Sequence, residues 1–154
     1  MPVRGIRGAT TASANDADAI VEATEELLRE LVLRNELDVD EIAFAYFTTT
    51  PDLDAEFPAL AARRLGWLDV PLLCGHDMAV PQPNPRSVAR CVRVVLLYNT
   101  ERSQREMHHA YLRGARAIKQ DLDAMRSSPQ VPVHPTKSAP HNRDFVGTPD
   151  VTGR

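Results

Sequence analysis

Cys74-Gly-His-Asp-Met78 and, shortly after it, Val88-Ala-Arg-Cys-Val-Arg93-Val-Val-Leu-Leu97 decide how this chain is read. The second stretch is β-branched and aliphatic in near-continuous order, as in a strand buried on both faces. Side chains alternate along a strand, so Arg93 shares a face with Cys91, Val95 and Leu97. A guanidinium keeps its charge, and burying it is costly unless an anion meets it. Asp77, on the preceding loop, is one partner open to it, and a bound acidic ligand is another. In a third reading the arginine snorkels out at a sheet edge.

Working outward, the 154 residues suit one domain, able to bury roughly two-thirds of its unfolded surface. Hydrophobic residues make up 43 % and charged ones 25 %, as in ordinary globular proteins. The net charge of −3 argues against nucleic acid and anionic membrane as partners, so any anion site must be a local arginine cluster. No apolar run reaches the roughly 18 residues of a membrane span. Cys74 and Cys91 make no disulfide framework. Free thiols without an apolar leader predict a reducing, cytoplasmic setting.

Residues 2–7 read as a short strand ending at Gly8, with Arg7 at its end. Ser13 and Asp16 have the spacing of a weak capping box for a helix of about 18 residues. Its apolar stripe is Ile20, Leu27, Leu28, Leu31 and Val32, and Asn35 is placed to close it in a left-handed cap. Ile42–Phe47 is a strand apolar on both faces and therefore central. Phe57–Leu65 is a helix with Pro58 in its first turn and Gly66 at its end, and Arg63 ordinarily belongs to its solvated face. Val70–Cys74 is a strand whose proline marks an edge or a start. Pro81, Pro83 and Pro85 hold the next loop extended.

Residues 102–126 are ambiguous. Met107, Ala110, Tyr111, Gly114, Ala115, Ile118, Leu122 and Met125 fall at helical spacing, yet His109 to Ile118 also alternates as a strand. His108 and His109 are adjacent, do not share a face, and make no metal site. The domain is placed at 1–126. Residues 127–154, with prolines scattered among Ser, Thr and His, read as a disordered tail.

Arg7, Arg63 and Arg93 each lie near an element's end or in an apolar setting. Several fixed guanidiniums in one cleft suit a small dicarboxylate, because the planar fork pairs bidentately with carboxylate. Neither a nucleophile beside a base nor a metal-ligand cluster is visible. Placed charge alone can still catalyse where the transition state develops charge.

The segments Arg4-Gly-Ile-Arg-Gly-Ala-Thr-Thr11, Thr50-Pro-Asp-Leu-Asp-Ala-Glu-Phe-Pro-Ala59 with Arg63, and Val70-Pro-Leu-Leu-Cys74 carry a family pattern. So do Met78, Cys91-Val-Arg-Val94, Tyr111-Leu112 and Asp121-Leu122. Over residues 3–122, in order and nearly in spacing, the chain resembles the AroH-type chorismate mutases. The resemblance implies an α/β (α+β) fold: a mixed sheet with helices on its outer side, three copies forming a pseudo-barrel homotrimer with sites at subunit interfaces. It implies a cofactor-free Claisen rearrangement of chorismate to prephenate in aromatic amino acid biosynthesis. Arg7 and Tyr111 then bind the enolpyruvyl carboxylate, Arg93 meets the ether oxygen, and Asp77 accepts from the substrate hydroxyl. Phe57, Ala59, Leu73, Cys74 and Ile118 line the pocket, Arg63 adds positive potential at its mouth, and Lys119 stands near a C-terminal lid. Residues 108–118 become a strand by the same resemblance.

The chain departs from the family in several places. Asp77 stands where glutamate is usual, shortening the reach by about 1.5 Å. Leu60 stands for lysine, Leu73 for a polar residue, Lys119 for arginine and Gln120 for proline, and the loop at 81–85 is longer. These changes keep other readings beside the mutase. One is a related pericyclic enzyme acting on isochorismate or another chorismate-derived ether. Another is a non-catalytic trimeric anion-binding or regulatory homologue. A Rid-like enamine deaminase is the weakest.

Overall fold

The computed structural model describes residues 1–81 and 83–129. Strand β1 (Val3–Thr11) leads into helix α1 (Ala17–Asn35), strand β2 (Ile42–Thr49), helix α2 (Ala59–Arg64) and strand β3 (Leu72–His76). Strand β4 (Cys91–Asn99), the two-residue strand β5 (Ala110–Tyr111) and helix α3 (Arg116–Ser127) complete the order. The five strands form one mixed sheet, β3-β2-β4-β1-β5. β4 pairs antiparallel with both neighbours, while the outer pairs β1/β5 and β2/β3 are parallel.

β4 shows what its sequence does. Val92, Val94, Leu96 and Tyr98 are buried, whereas Val95 and Leu97 are 38 % and 36 % exposed. From Val92 on the strand alternates, and the expectation of burial on both faces is corrected: among the described residues one face of the sheet is covered throughout, and the other only around Ala9, Cys91 and Ala115. The covering is α1, whose Leu27, Leu28 and Leu31 are fully buried, each contributing about 1.5–3 kcal/mol by leaving water. Gly8 lets the helix approach. A Cβ there would lie 2.8 Å from Leu31 Cδ1 and 3.0 Å from Leu27 Cδ1. The mixed sheet with its long helix on one side is the expected fold class.

Several boundaries differ from the sequence reading. β1 continues past Gly8 to Thr11 because β4 pairs with it along its whole length, ending at Thr11↔Cys91. β4 starts at Cys91 rather than Val88, since Arg90 has φ 48°, off the strand path. Asp16 alone caps α1, its Oδ1 accepting from the Ala19 N–H at 2.8 Å. The left-handed residue is Glu36 (φ 52°), not Asn35. The strand expected over 108–118 shrinks to Ala110–Tyr111. Arg113, at φ 49°, turns the chain off the sheet, the Gly114 N–H donates to Thr11 Oγ1 at 3.1 Å, and helix takes over at Arg116. From residue 130 on, the tail expected at 127–154 lies outside the described residues.

Asn35 is fully buried in the last turn of α1 and ties the β5 edge to the helix. Its Nδ2 donates to the Leu31 and His108 carbonyls at 3.0 and 2.8 Å, and its Oδ1 accepts from the His108 N–H at 2.7 Å. Asn35→Ala strands these backbone groups out of water, which costs about 1–3 kcal/mol. A urea midpoint lowered by that amount at unchanged slope is the expected result; an unchanged midpoint would show the anchor to be dispensable.

Candidate active site

Strand register gathers the site on the open face. Cross-strand partners share a face, so Thr48, Arg93, Ala9 and Tyr111 make one row across β2, β4, β1 and β5. Leu73, Tyr46, Val95 and Arg7 make the row beside it. A cleft of about 310 Å³ opens over these rows, lined in part by Arg7, Tyr46, Asp77, Arg93, Tyr111 and Ile118. Its residues Ala9, Tyr111 and Ile118 also belong to a small apolar cluster with the buried Cys91 and Ala115.

Asp77 extends the β3 edge by one rung, its N–H donating to the Thr49 carbonyl at 2.8 Å. That fixes its carboxylate beside β4. Arg93 Nε stands 3.2 Å from Asp77 Oδ2. Both atoms are buried, yet the angle is too bent for a hydrogen bond, and neither finds another partner among the described residues. The arginine is not buried as a whole, since its side chain is 42 % exposed. The picture of a fully buried charge is therefore corrected: one buried nitrogen faces the carboxylate, and the rest of the guanidinium reaches the open cleft. Attraction without a good hydrogen bond leaves both groups able to engage something between or beside them.

The remaining residues singled out from sequence do not join this cleft. Phe57, Ala59, Leu60, Arg63, Leu73 and Cys74 line a separate one of about 350 Å³, between α2 and the edge strand β3. Lys119 lines a third with Arg7 and Tyr111. On one chain these residues are thus divided among three clefts.

Burial pushes the Cys74 thiol up, against the lowering effects of an Ala59 backbone contact and of Arg63. A thiol held protonated is a wall and not a nucleophile. Among the described residues, no group of three or more His, Cys, Asp or Glu could hold a metal ion, and no helix is long and apolar enough to cross a membrane. A strand read as ending at Phe47 with both faces apolar does not single out Tyr46 and Thr48, which β2 in fact carries on this face. Its period-two alternation was the available signal. Tyr46 lies over Gly75, where a Cβ would come 2.6 Å from the phenol oxygen. His109 was missed as well. Its Nδ1 accepts from the Arg7 N–H at 2.9 Å, tying the ring to the strand that carries Arg7.

Residues 3–122 match the family described as chorismate mutase type I. Chorismate mutase AroH of Thermus thermophilus is 42 % identical over 123 residues, which cover 79 % of this chain and 98 % of that protein. Chorismate mutase AroH of Bacillus subtilis is 33 % identical over 129 residues, 83 % of this chain and 98 % of that one. A solved chorismate mutase from Clostridium thermocellum superposes with a TM-score of 0.69 at 45 % identity, covering 73 % of this chain and 96 % of its own.

Burial, and then the charges of Arg7, Arg126 and His108, lower the pKa of His109; the Arg34 guanidinium also borders it, donating to the His109 carbonyl. Protonation would take Nδ1 from the Arg7 N–H. The unfolded chain therefore takes up a proton on this ring before the folded chain does. Its contribution to stability is complete above about pH 6.5 and is lost as pH falls from there toward the lowered folded value. His109→Asn keeps an acceptor without titrating. Its urea midpoint should fall less between about pH 7 and pH 5 than that of the wild type, and identical declines would remove His109 from the account.

Proposed function

The chain belongs to the chorismate mutase type I family and is a chorismate mutase, an isomerase of aromatic amino acid biosynthesis, and from that premise we propose how its residues carry the reaction. Chorismate rearranges to prephenate in one pericyclic step: an ether C–O bond breaks, a C–C bond forms, and no proton or cofactor is needed. The transition state gathers negative charge on the ether oxygen. Arg93 meets that oxygen with its cleft-facing guanidinium, where contact away from bulk water is worth more than in solution. Arg7 and Tyr111, on the adjoining rows of β1 and β5, hold the enolpyruvyl carboxylate. Asp77 accepts from the substrate hydroxyl. Held at both ends, the substrate stays folded in the reactive conformer, which removes much of the entropic part of the barrier. The observation that carries this reading is the convergence of Arg7, Asp77, Arg93 and Tyr111 in one cleft.

The site is completed by a second copy of the chain in a homotrimer. Phe57, Ala59, Arg63, Leu73 and Cys74 lie toward the opposite edge of the sheet, so a neighbour's β3 edge supplies them to the Arg93 cleft. The open sheet face supports the same assembly, since Leu73, Val95 and Leu97 are 56 %, 38 % and 36 % exposed in the single chain. Apolar surface of this kind is what a subunit contact covers.

Purified protein should convert chorismate to prephenate, and Arg93→Ala should lower kcat by at least about 10³-fold, the upper range for removing one transition-state donor. Turnover no faster than the uncatalysed rate would overturn the assignment of roles. Asp77→Glu, which lengthens the reach toward the hydroxyl, should raise kcat; a fall would show the shorter carboxylate to be matched to its site. The shared site has its own test. Arg93→Ala and Arg63→Glu chains, each inactive alone, should recover about a quarter of wild-type activity when coexpressed, because random pairing of head-to-tail contacts leaves that share of sites with two intact halves. No recovery would place the whole site within one chain.

A further inference from the structure

Beside the substrate cleft lies a larger one, about 720 Å³, which borders it through Arg7 and Tyr111. Four elements bring cations to it: Arg7 from β1, Arg34 from α1, Arg105 from the 3₁₀ turn Gln104–Glu106, and Lys119 and Arg126 from α3. Asp123 is the one carboxylate in its lining. Among the described residues only Arg34 of these five is ion-paired, with Glu30. The other four make no ion pair among the described residues and share the cleft with one carboxylate, on a chain whose net charge is −3. Like charges drawn together from separate elements repel, and an arrangement of this kind persists at a cost that a bound anion relieves. The ring of His109 borders the same space, its neutral form favoured by burial and then by the charges of Arg7 and Arg126.

We propose that this cleft is a capture site for the dianionic substrate, which it holds loosely through its carboxylates before Arg7 draws one of them into the substrate cleft. The proposal deepens the mutase reading and rests on it. Arg7 lines both spaces, so an anion passes from one to the other without leaving its range. Unpaired cations at the entrance raise the local concentration of a dianion and act on encounter more than on the pericyclic step. The chemistry belongs to Arg93, which does not line this cleft.

The test compares wild type with the double variant Arg105→Gln/Arg126→Gln, whose two side chains are exposed and make no ion pair among the described residues. At an ionic strength of about 0.01 M, where screening extends about 30 Å, kcat/KM for chorismate should fall about fivefold, a partial loss of steering effects that range from about 10- to 10³-fold, with kcat unchanged. At about 1 M, where screening extends about 3 Å, the two proteins should coincide. Arg105→Lys/Arg126→Lys, which keeps the charge, should behave as wild type. A double variant with unchanged kcat/KM at low salt, or a loss that persists at high salt or in the lysine variant, would overturn the capture site while leaving the mutase reading intact. If the wild type does not turn over, the mutase roles fall. Calorimetric binding of chorismate to the same proteins then decides the capture site, with salt-sensitive weakening in the glutamine variant for it and equal affinities against it.

Discussion

The structure depends on a sheet that is packed far more heavily on one side than on the other. α1 lays Leu27 and Leu31 over Gly8 and closes that face to water. Among the described residues the face turned away from it has only the small cluster of Ala9, Cys91 and Ala115, and α3 buries none of its residues fully. A fold of this design divides its labour along each strand. From Val92 to Tyr98 the even positions of β4 hold the chain together, while the odd positions from Arg93 to Leu97 stay at least partly open; Cys91, at the strand's start, is buried with Ala9 and Ala115. Stability and chemistry are thereby written on alternate residues of one strand, and a substitution at Val94 and one at Arg93 should answer to different selection.

The same design explains why the site residues are spread as they are. Edges of a sheet are where backbone groups remain open to a partner. Here β3 and β5 form the two edges, with Leu73 and Cys74 on one and Tyr111 on the other. In the proposed trimer, a ring of copies that sets one edge against another would cover apolar surface and complete a pocket in a single step, so that assembly and activity would be coupled.

Much of this was legible in the residues, and what was not has physical causes. The long helix, the order of the strands and the arginines at element ends follow from periodicity and from Gly and Pro punctuation. The exposure of Val95 and Leu97 was not legible, because a run of aliphatic residues reads alike whether a helix or another subunit covers it. Residues 108–118 were ambiguous for a sound reason: the segment is two residues of strand, a tight turn and the start of a helix, so each period fits part of it. The resemblance to a family resolved this toward strand and overshot, since the break at Arg113 depends on a left-handed backbone that an arginine does not announce. Of the residues lining the Arg93 cleft, Arg7, Arg93 and Tyr111 lie in the family motifs and Asp77 stands at one of its departures. Tyr46 and Thr48 had only the alternation of β2 to mark them, and the place of His109 comes from tertiary contact.

The bent pair of Arg93 and Asp77 has a consequence for selectivity. At 3.2 Å each charge answers the other, so a stray chloride or acetate meets in Arg93 a cation that already has a counter-charge. An intruder that takes Arg93 leaves a carboxylate with nothing to hold, in a place where an unmet charge is costly. A molecule carrying an acceptor for one and a hydroxyl for the other satisfies both at once. The pair thus acts as a two-key lock, indifferent to charge alone and responsive to the spacing of two unlike groups on one ligand.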